Sequence, residues 1–556
     1  MAEAATAGPG DEGGLRRAVG PWGSYTWGYA DVGADIYVAL GLVIATAGGS
    51  SNVAFLFAGL IYASIGLAYT ELAAMYPLSG GGQLWVMRGL GDIFGFTAGW
   101  SVLLAFTVDI ALFAYISISY LDRFFPALNH PPYNIVESIV MVGLLLTLNT
   151  IGVRESSKLN EMAGALDIFA ESTIIVIGFA FAFWPYLYWS QISHFWGHFQ
   201  ANRLMFGTSL AIISFVGLES ISQAAQETER PTTIIPRTSL ALILTILAYA
   251  IGLSNLALGV VPWQTYDPTS HVYCHGLSVA ACSASHLAHE NAPMIWLAEH
   301  LPLIGAYLAP VVAVLGTTLL MISSNSGVYG SSRIVYSMAH NDLMPKFFTY
   351  VQPKFRTPLV ALVVFCLVAV GELIAAGFTS NALESLAQMY AFSAAVNYLL
   401  VFVSLLVLRF TDTATPRTFR MPWNVALRRP DRTYDIPISG VVGLLFLVAV
   451  LVMVVITNAI GRVAGPLWVV AGLVFYVLYR TRRHLPLLRS CPRDWSAMQL
   501  EVYHESGETG LAQEYQTALR RNDRRGYGST VPALDLLLNW RERRRGKGST
   551  PEGTQT

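Results

Sequence analysis

The residues of this 556-residue sequence whose types and spacing suit chemistry are acids set in apolar runs. Asp31 and Asp35 stand four apart at the head of the first run, "ADVGADIYVALG", and on a helix would share a face. Asp109 lies deep in "LLAFTVDIALFAYIS", Asp167 and Glu171 are again four apart in "MAGALDIFAEST", and Glu219 follows Gly217 in "ISFVGLESIS". A carboxylate at a bilayer centre costs roughly 2.5–3.5 kcal/mol on insertion scales, so such residues line wet cavities or meet partners. No Lys or Arg lies in the core apolar runs to pair with them. Acids desolvated near one another cannot all be ionised, so the set is suited to taking up protons or a cation. At a helix start an acid also serves as a cap, which fits Asp31 and, if its helix begins later, Asp167.

The elements that must position these groups follow from composition. With 54% hydrophobic and 12% charged residues and a mean hydropathy of +0.50, the chain reads as an all-α, polytopic membrane protein. Runs long enough to cross a hydrocarbon core, about 20 residues each, fall at 27–48, 52–75, 93–120, 135–152, 163–184, 204–224, 238–261, 303–326, 358–377, 385–408, 437–459 and 466–480. That is twelve, so both ends share a side. With that side cytoplasmic, the outer segments hold only Arg123, Arg203 and Arg462 of 34 Lys and Arg, and 238–332 holds none, which predicts N-in, C-in. Residues 1–20 are polar and read as a disordered cytoplasmic terminus without a cleavable signal peptide, 21–480 as the transmembrane domain, and 481–556 as a cytoplasmic tail. The tail ends in an apolar patch followed by Arg541, Arg543, Arg544, Arg545 and Lys547, a pattern that suits an anionic leaflet or plain solvation.

Gly33 in "DVGAD" and Gly217 in "FVGLES" interrupt runs 1 and 6, five helices apart and therefore in opposite topology. Paired interruptions in two inverted halves point to a transport site at the midplane. Ser323 and Ser324 in "LLMISSNSG" are expected to bond their own backbone. Cys274 and Cys282 share one loop, either as a disulfide or as free thiols, and with His275, His286 and His289 they match no standard zinc spacing. HExxH, GxSxG and P-loop patterns are missing from the sequence, and a net charge of -1 gives no sign of nucleic-acid binding. No enzyme, metal or cofactor is expected.

"VGADIYVALG", "GLAYTELAAMYPLSGGGQLWVMRGLGD", "LNTIGVRESSKLNE", "FVGLESISQAAQETERPTTIIPR" and "GVYGSSRIVYSMAHNDLMPKFF" occur in this order, and through them the chain resembles the amino acid-polyamine-organocation (APC) superfamily over roughly residues 20–480. The resemblance implies a LeuT-type fold, a 5+5 inverted repeat with discontinuous helices 1 and 6 and two further helices outside the core. It implies that Gly33, Ala34 and Asp35 occupy the triplet whose backbone N–H groups hold a substrate carboxylate, with an acid in place of the third glycine. Phe215 matches the aromatic that lids the substrate, Gly217 the break and Glu219 the acid linked to gating. Asp109 stands where relatives have a small hydroxyl residue facing the site, and Asp167 where proton-coupled relatives have a lysine. Ser323 and Ser324 resemble the hydroxyl pair that closes a sodium site in sodium-coupled members. Substrate contacts are therefore expected from Gly33, Ala34, Asp35, Asp109, Phe215 and Gly217, and gating or coupling from Asp31, Asp167, Glu171, Glu219, Ser323 and Ser324.

The resulting expectation is a secondary transporter of the cell membrane that carries an amino acid or amine by alternating access, coupled to protons or to sodium. A proton-coupled potassium permease on the same fold is the alternative, with Asp31 and Asp109 as ligands. A membrane sensor signalling through the tail finds no output domain in 481–556.

Overall fold

Long apolar stretches leave the backbone one way to satisfy its N–H and C=O groups away from water, and the chain takes it: helix follows helix. The computed structural model describes residues 19–78, 80–126, 132–151, 156–197, 199–217, 225, 228–260, 266–267, 272–273, 292–355, 357–379, 382–428, 433–457, 461–523 and 531–546. The first half contains α1 (Pro21–Val32), α2 (Ile36–Ala47), α3 (Ser51–Met75), α4 (Gly81–Leu90), α5 (Asp92–Leu121), α6 (Tyr133–Ile151), α7 (Ser156–Ile177), α8 (Pro185–Gly197) and α9 (Ala201–Ala211). The second contains α10 (Pro231–Val260), α11 (Pro293–Glu299), α12 (Gly305–His340), α13 (Leu359–Gly377), α14 (Ala382–Thr411), α15 (Ile438–Thr457) and α16 (Gly461–Arg482), then α17 (Trp495–Glu505), α18 (Thr509–Asp523) and α19 (Ala533–Gly546). Proline opens α1, α8, α10 and α11, where a missing N–H costs nothing. Two short antiparallel pairs interrupt the helices: β1 (Tyr266–Asp267) with β2 (Val272–Tyr273), and β3 (Asn424–Arg428) with β4 (Thr433–Pro437).

Ten stretches among the described residues are long and apolar enough to cross a membrane, and one of them, Pro21–Met75, is 55 residues. At 1.5 Å per residue that stretch would extend about 80 Å as one helix, and it is broken by the turn Gly48–Ser50 between α2 and α3. The short run expected at 466–480 is a full helix of 22 residues, α16. The run expected at 204–224 is helical only to Phe215 among its described residues.

The most apolar window of α5 is 100% buried, and the helix packs along α12 and α14 at the centre of the bundle. In α16 the corresponding window is 17% buried, and Val463, Leu467, Val470, Val474 and Leu478 point outward. A contiguous apolar stripe of this kind on a spanning helix is a lipid-facing surface.

The tail folds against the bundle at the face where the N-terminal segment also lies: Glu229 N donates to Val19 O at 3.1 Å, and the hydroxyl of nearby Thr232 donates to Glu508. Asp494 caps α17 by accepting from Ser496 N and Ala497 N at 3.1 and 3.0 Å. Trp495, Gln499, Val502 and Tyr503 of α17 are buried against the bundle and the neighbouring α18. In α19, Leu537 and Trp540 remain exposed.

Candidate substrate and coupling site

The segment α1–α2 carries two chemistries on two sides. Tyr29, Gly33 and Tyr37 recur every four residues and form one stripe; Asp31 and Asp35 form another, displaced by about 200° of helix rotation. The tyrosine stripe faces α7. Tyr29 OH donates to Glu171 Oε2 at 2.8 Å and to Asp167 Oδ2 at 3.1 Å, and Tyr37 OH donates to Asp167 Oδ1 at 2.5 Å. Both acids are fully buried. Asp167 is therefore an internal partner of both tyrosines rather than a helix cap.

The triplet Gly33–Asp35 between the tyrosines corrects one expectation. It tightens into a single 3-10 turn, with Gly33 at φ -63° and ψ -35° and Asp35 at φ -67° and ψ -30°, so the chain stays right-handed helical and does not unwind. The glycine is needed for room rather than for an unusual backbone, because a Cβ at Gly33 would lie 3.0–3.3 Å from the Tyr29 ring. Ala34 is fully buried in this turn, which packs against the 3-10 turn Ile212–Phe215 that follows α9.

The expected break beyond α9 is present. Gly217 has φ +121°, a conformation that favours glycine, and a Cβ there would lie 2.8 Å from Val32 and 2.9 Å from Asp31 Oδ2. Phe215 is buried and stacks on Tyr62 of α3 with ring centroids 5.1 Å apart. Glu219 lies outside the described residues, as do Cys274, Cys282 and the histidines near them.

The acidic stripe faces α12. Ser326 Oγ donates to Asp31 Oδ1, and Ser323 Oγ donates to the Asp31 carbonyl at 3.4 Å. Ser324 Oγ donates across to Ile110 O of α5 at 2.9 Å. Neither serine therefore bonds its own backbone as expected; α12 is close enough to α1 and α5 that the hydroxyls reach neighbouring chains instead. Asp109 of α5 meets α12 at Gly327, where a Cβ would be 2.8 Å from Asp109 Oδ2. Asp31 and Asp109 thus meet adjacent residues of α12, Ser326 and Gly327, and the turn that carries Asp35 packs against the same helix. Asp109, Asp35 and Asp31 are 3%, 1% and 7% exposed, so this conformation encloses them.

Several contributors escaped the sequence reading. Tyr29 and Tyr37 had a visible signal, their four-residue spacing around Gly33. Glu372 of α13, the acid of an apolar run, accepts from Thr107 Oγ1 of α5 at 2.9 Å. Ser326 had no local signal, because only packing brings α12 to α1.

A second set of buried carboxylates lies at the face that holds the tail. Arg88 of α4 pairs with Asp412 at 2.9 Å, and Asp412 also accepts from Tyr76 OH, Thr415 Oγ1 and two backbone N–H groups. Burial alone would raise the Asp412 pKa, but the Arg88 guanidinium and these hydrogen bonds outweigh it and hold the carboxyl down at about 2. Glu71 pairs with Arg409 at 2.5 Å, and Asp92 with Arg480 at 2.8 Å and Arg493 at 2.6 Å. The tail joins this web: Gln499 donates to Met75 O at 2.9 Å and accepts from Arg88 at 3.4 Å, while Arg493 donates to Asn341 O at 2.7 Å.

An apolar helical bundle that encloses acids beside a broken helix is the architecture of a multi-pass membrane carrier. The chain belongs to the amino acid permease family, whose model matches residues 31–422. It is similar to "Branched-chain amino acid permease BcaP" of Bacillus subtilis (strain 168), at 25% identity over 87% of this chain and 96% of that protein. It is also similar to "Cationic amino acid transporter 4" of Mus musculus, at 29% identity over 69% of this chain and 58% of that longer protein. "Gamma-aminobutyric acid permease" of Bacillus subtilis (strain 168) is 24% identical over 60% of this chain and 66% of its own length. The protein is a permease, an amino acid transporter rather than an enzyme.

Proposed function

We propose that this permease carries an amino acid or amine bearing a positively charged group, by alternating access, with protons as the coupling ion. One observation carries the choice of charge: Asp31, Asp35 and Asp109 are buried where α1, α5 and α12 meet, Asp31 against Ser326 and Asp109 against Gly327, and no Lys or Arg lies in the surrounding apolar runs. A cationic substrate group would offset part of this negative charge inside the bundle, where burying charge is costly. Among the relatives, the cationic amino acid transporter fits this reading better than the branched-chain permease. Asp167 and Glu171, bridged by Tyr29 with Tyr37 also on Asp167, supply the coupling function, since two adjoining buried acids cannot both stay ionised and so take up a proton. Ser323 and Ser326, close to Asp31, are where sodium would compete for the same role.

The reading includes twelve crossings arranged as a 5+5 inverted repeat, with Pro21–Met75 supplying the first two and the chain through Gly217 the sixth. The basic residues at the tail face favour placing both termini in the cytoplasm of a cell-membrane protein. The test is uptake of L-lysine, L-leucine, gamma-aminobutyric acid and rubidium into proteoliposomes under imposed proton or sodium gradients. Proton-driven L-lysine uptake well above that of L-leucine is expected. L-leucine uptake equal to that of L-lysine defeats the charge selection, and rubidium uptake alone would favour the cation-permease alternative.

A further inference from the structure

A polar cavity of about 550 Å³ lies away from the transport site, between the loop after α14 and helix α18 of the tail. Its walls carry Arg417 and Arg420 from the loop, and Glu514, Thr517 and Arg521 from α18, with Thr415 at its side. Three arginines thus line the cavity with a single acid, Glu514.

The two faces of α18 differ in a way that matters here. Ala512 and Tyr515 are buried, and with Leu519 they pack the helix against its neighbours. Glu514, Thr517 and Arg521 lie on the other side and meet the basic loop across the cavity. Arg417 is fixed: it donates to Leu408 O at 3.0 Å and Asp412 O at 2.9 Å, and its Nε lies 3.6 Å from Glu71. Arg420 pairs with Asp435 at 2.8 Å while its side chain stays 54% exposed. Arg521 is exposed and makes no ion pair with the described residues. Guanidiniums facing each other across a docking seam repel, and an anion between them reverses the sign of that interaction.

We propose that this cavity is a binding site for a phosphate-bearing anion, which bridges Arg420 of the loop and Arg521 of the tail and so pins the tail to the bundle. Guanidinium forks match phosphate oxygens in pairs, and the volume falls within the range of small-molecule sites, roughly 300–1,000 Å³. Bridging there bears directly on the permease, because Thr415 lines the cavity and also donates to Asp412 at 2.8 Å, the partner of Arg88. A soluble phosphate compound and a lipid headgroup share this chemistry. The site rests on the tail's docking alone and stands whatever the transported substrate is.

The experiment uses the full-length chain in two arms. In detergent at matched ionic strength, melting temperature is followed against ATP and, separately, sodium pyrophosphate, and hydrogen exchange of α17 and α18 is measured with and without them. In nanodiscs, phosphatidylcholine alone is compared with phosphatidylcholine containing phosphatidylglycerol. Arg420→Gln and Arg521→Gln change exposed side chains, so both variants should fold. A saturable rise in melting temperature with slower exchange in α18 is expected, with affinity weakened about tenfold or more in each variant as a charge-assisted contact is lost. A response in the detergent arm identifies a soluble ligand, and one confined to anionic nanodiscs identifies a headgroup. No response in either arm at concentrations up to about 10 mM, or an equal response in the variants, overturns the site.

Discussion

The molecule buries two populations of carboxylates, and they are neutralised differently. At the tail face, Asp412, Glu71 and Asp92 each meet at least one guanidinium. Inside the bundle, Asp31 is held by Ser326, Asp167 and Glu171 by Tyr29 and Tyr37, and Glu372 by Thr107. An arginine compensates a charge permanently, whereas a hydroxyl stabilises it and leaves a proton or cation to complete the neutralisation. The first arrangement fixes helix ends in place. The second is the arrangement that the proposed ion coupling would use.

The sharpest way to break this comparison is to remove one partner from each population and compare the losses. Asp412→Ala leaves Arg88 buried without its acid and is expected to cost about 3–5 kcal/mol of stability, read as a large fall in melting temperature. Acid tests the same pair more gently. The Asp412 pKa is lower folded than unfolded, so its contribution of about 2 kcal/mol is complete above the unfolded value near 4 and is lost as pH falls through about 2. A melt series in buffers from neutral to strongly acidic checks this, and Asp412→Asn should flatten that part of the profile. The smallest stability effect is expected inside the bundle: Asp31→Asn keeps size and polarity beside Ser326 and should shift stability by about 1 kcal/mol or less. If Asp31→Asn destabilises as much as Asp412→Ala, the two populations are not different in kind.

How much of this was legible in sequence depends on how local each feature is. The apolar runs specify the helices, and the glycine after the Phe215-Val216 pair specifies a break that the backbone bears out. The acids of α5 and α7 stand out because each sits alone among apolar neighbours. Gly33 misled: the sequence places a glycine beside acids and suggests unwinding, but the residue makes room for the Tyr29 ring, a contact set by how α1 meets α7. Ser323 and Ser324 were assigned to their own backbone because nothing local shows that α12 lies against α1 and α5. The docking of the tail was not legible for a related reason. The tail docks on helix ends through polar groups such as Gln499 and Arg493, whose partners are hundreds of residues away in sequence.

The central claim is that Asp31, Asp35 and Asp109 select a cationic substrate. It is tested most directly by proton-driven L-lysine uptake in proteoliposomes of the wild type, Asp31→Asn and Asp109→Asn, each checked for an unchanged melting temperature. Uptake reduced about tenfold or more in both variants, with the fold intact, is the result expected from losing a charge that holds the substrate. L-lysine uptake at the wild-type rate in the folded variants would contradict it.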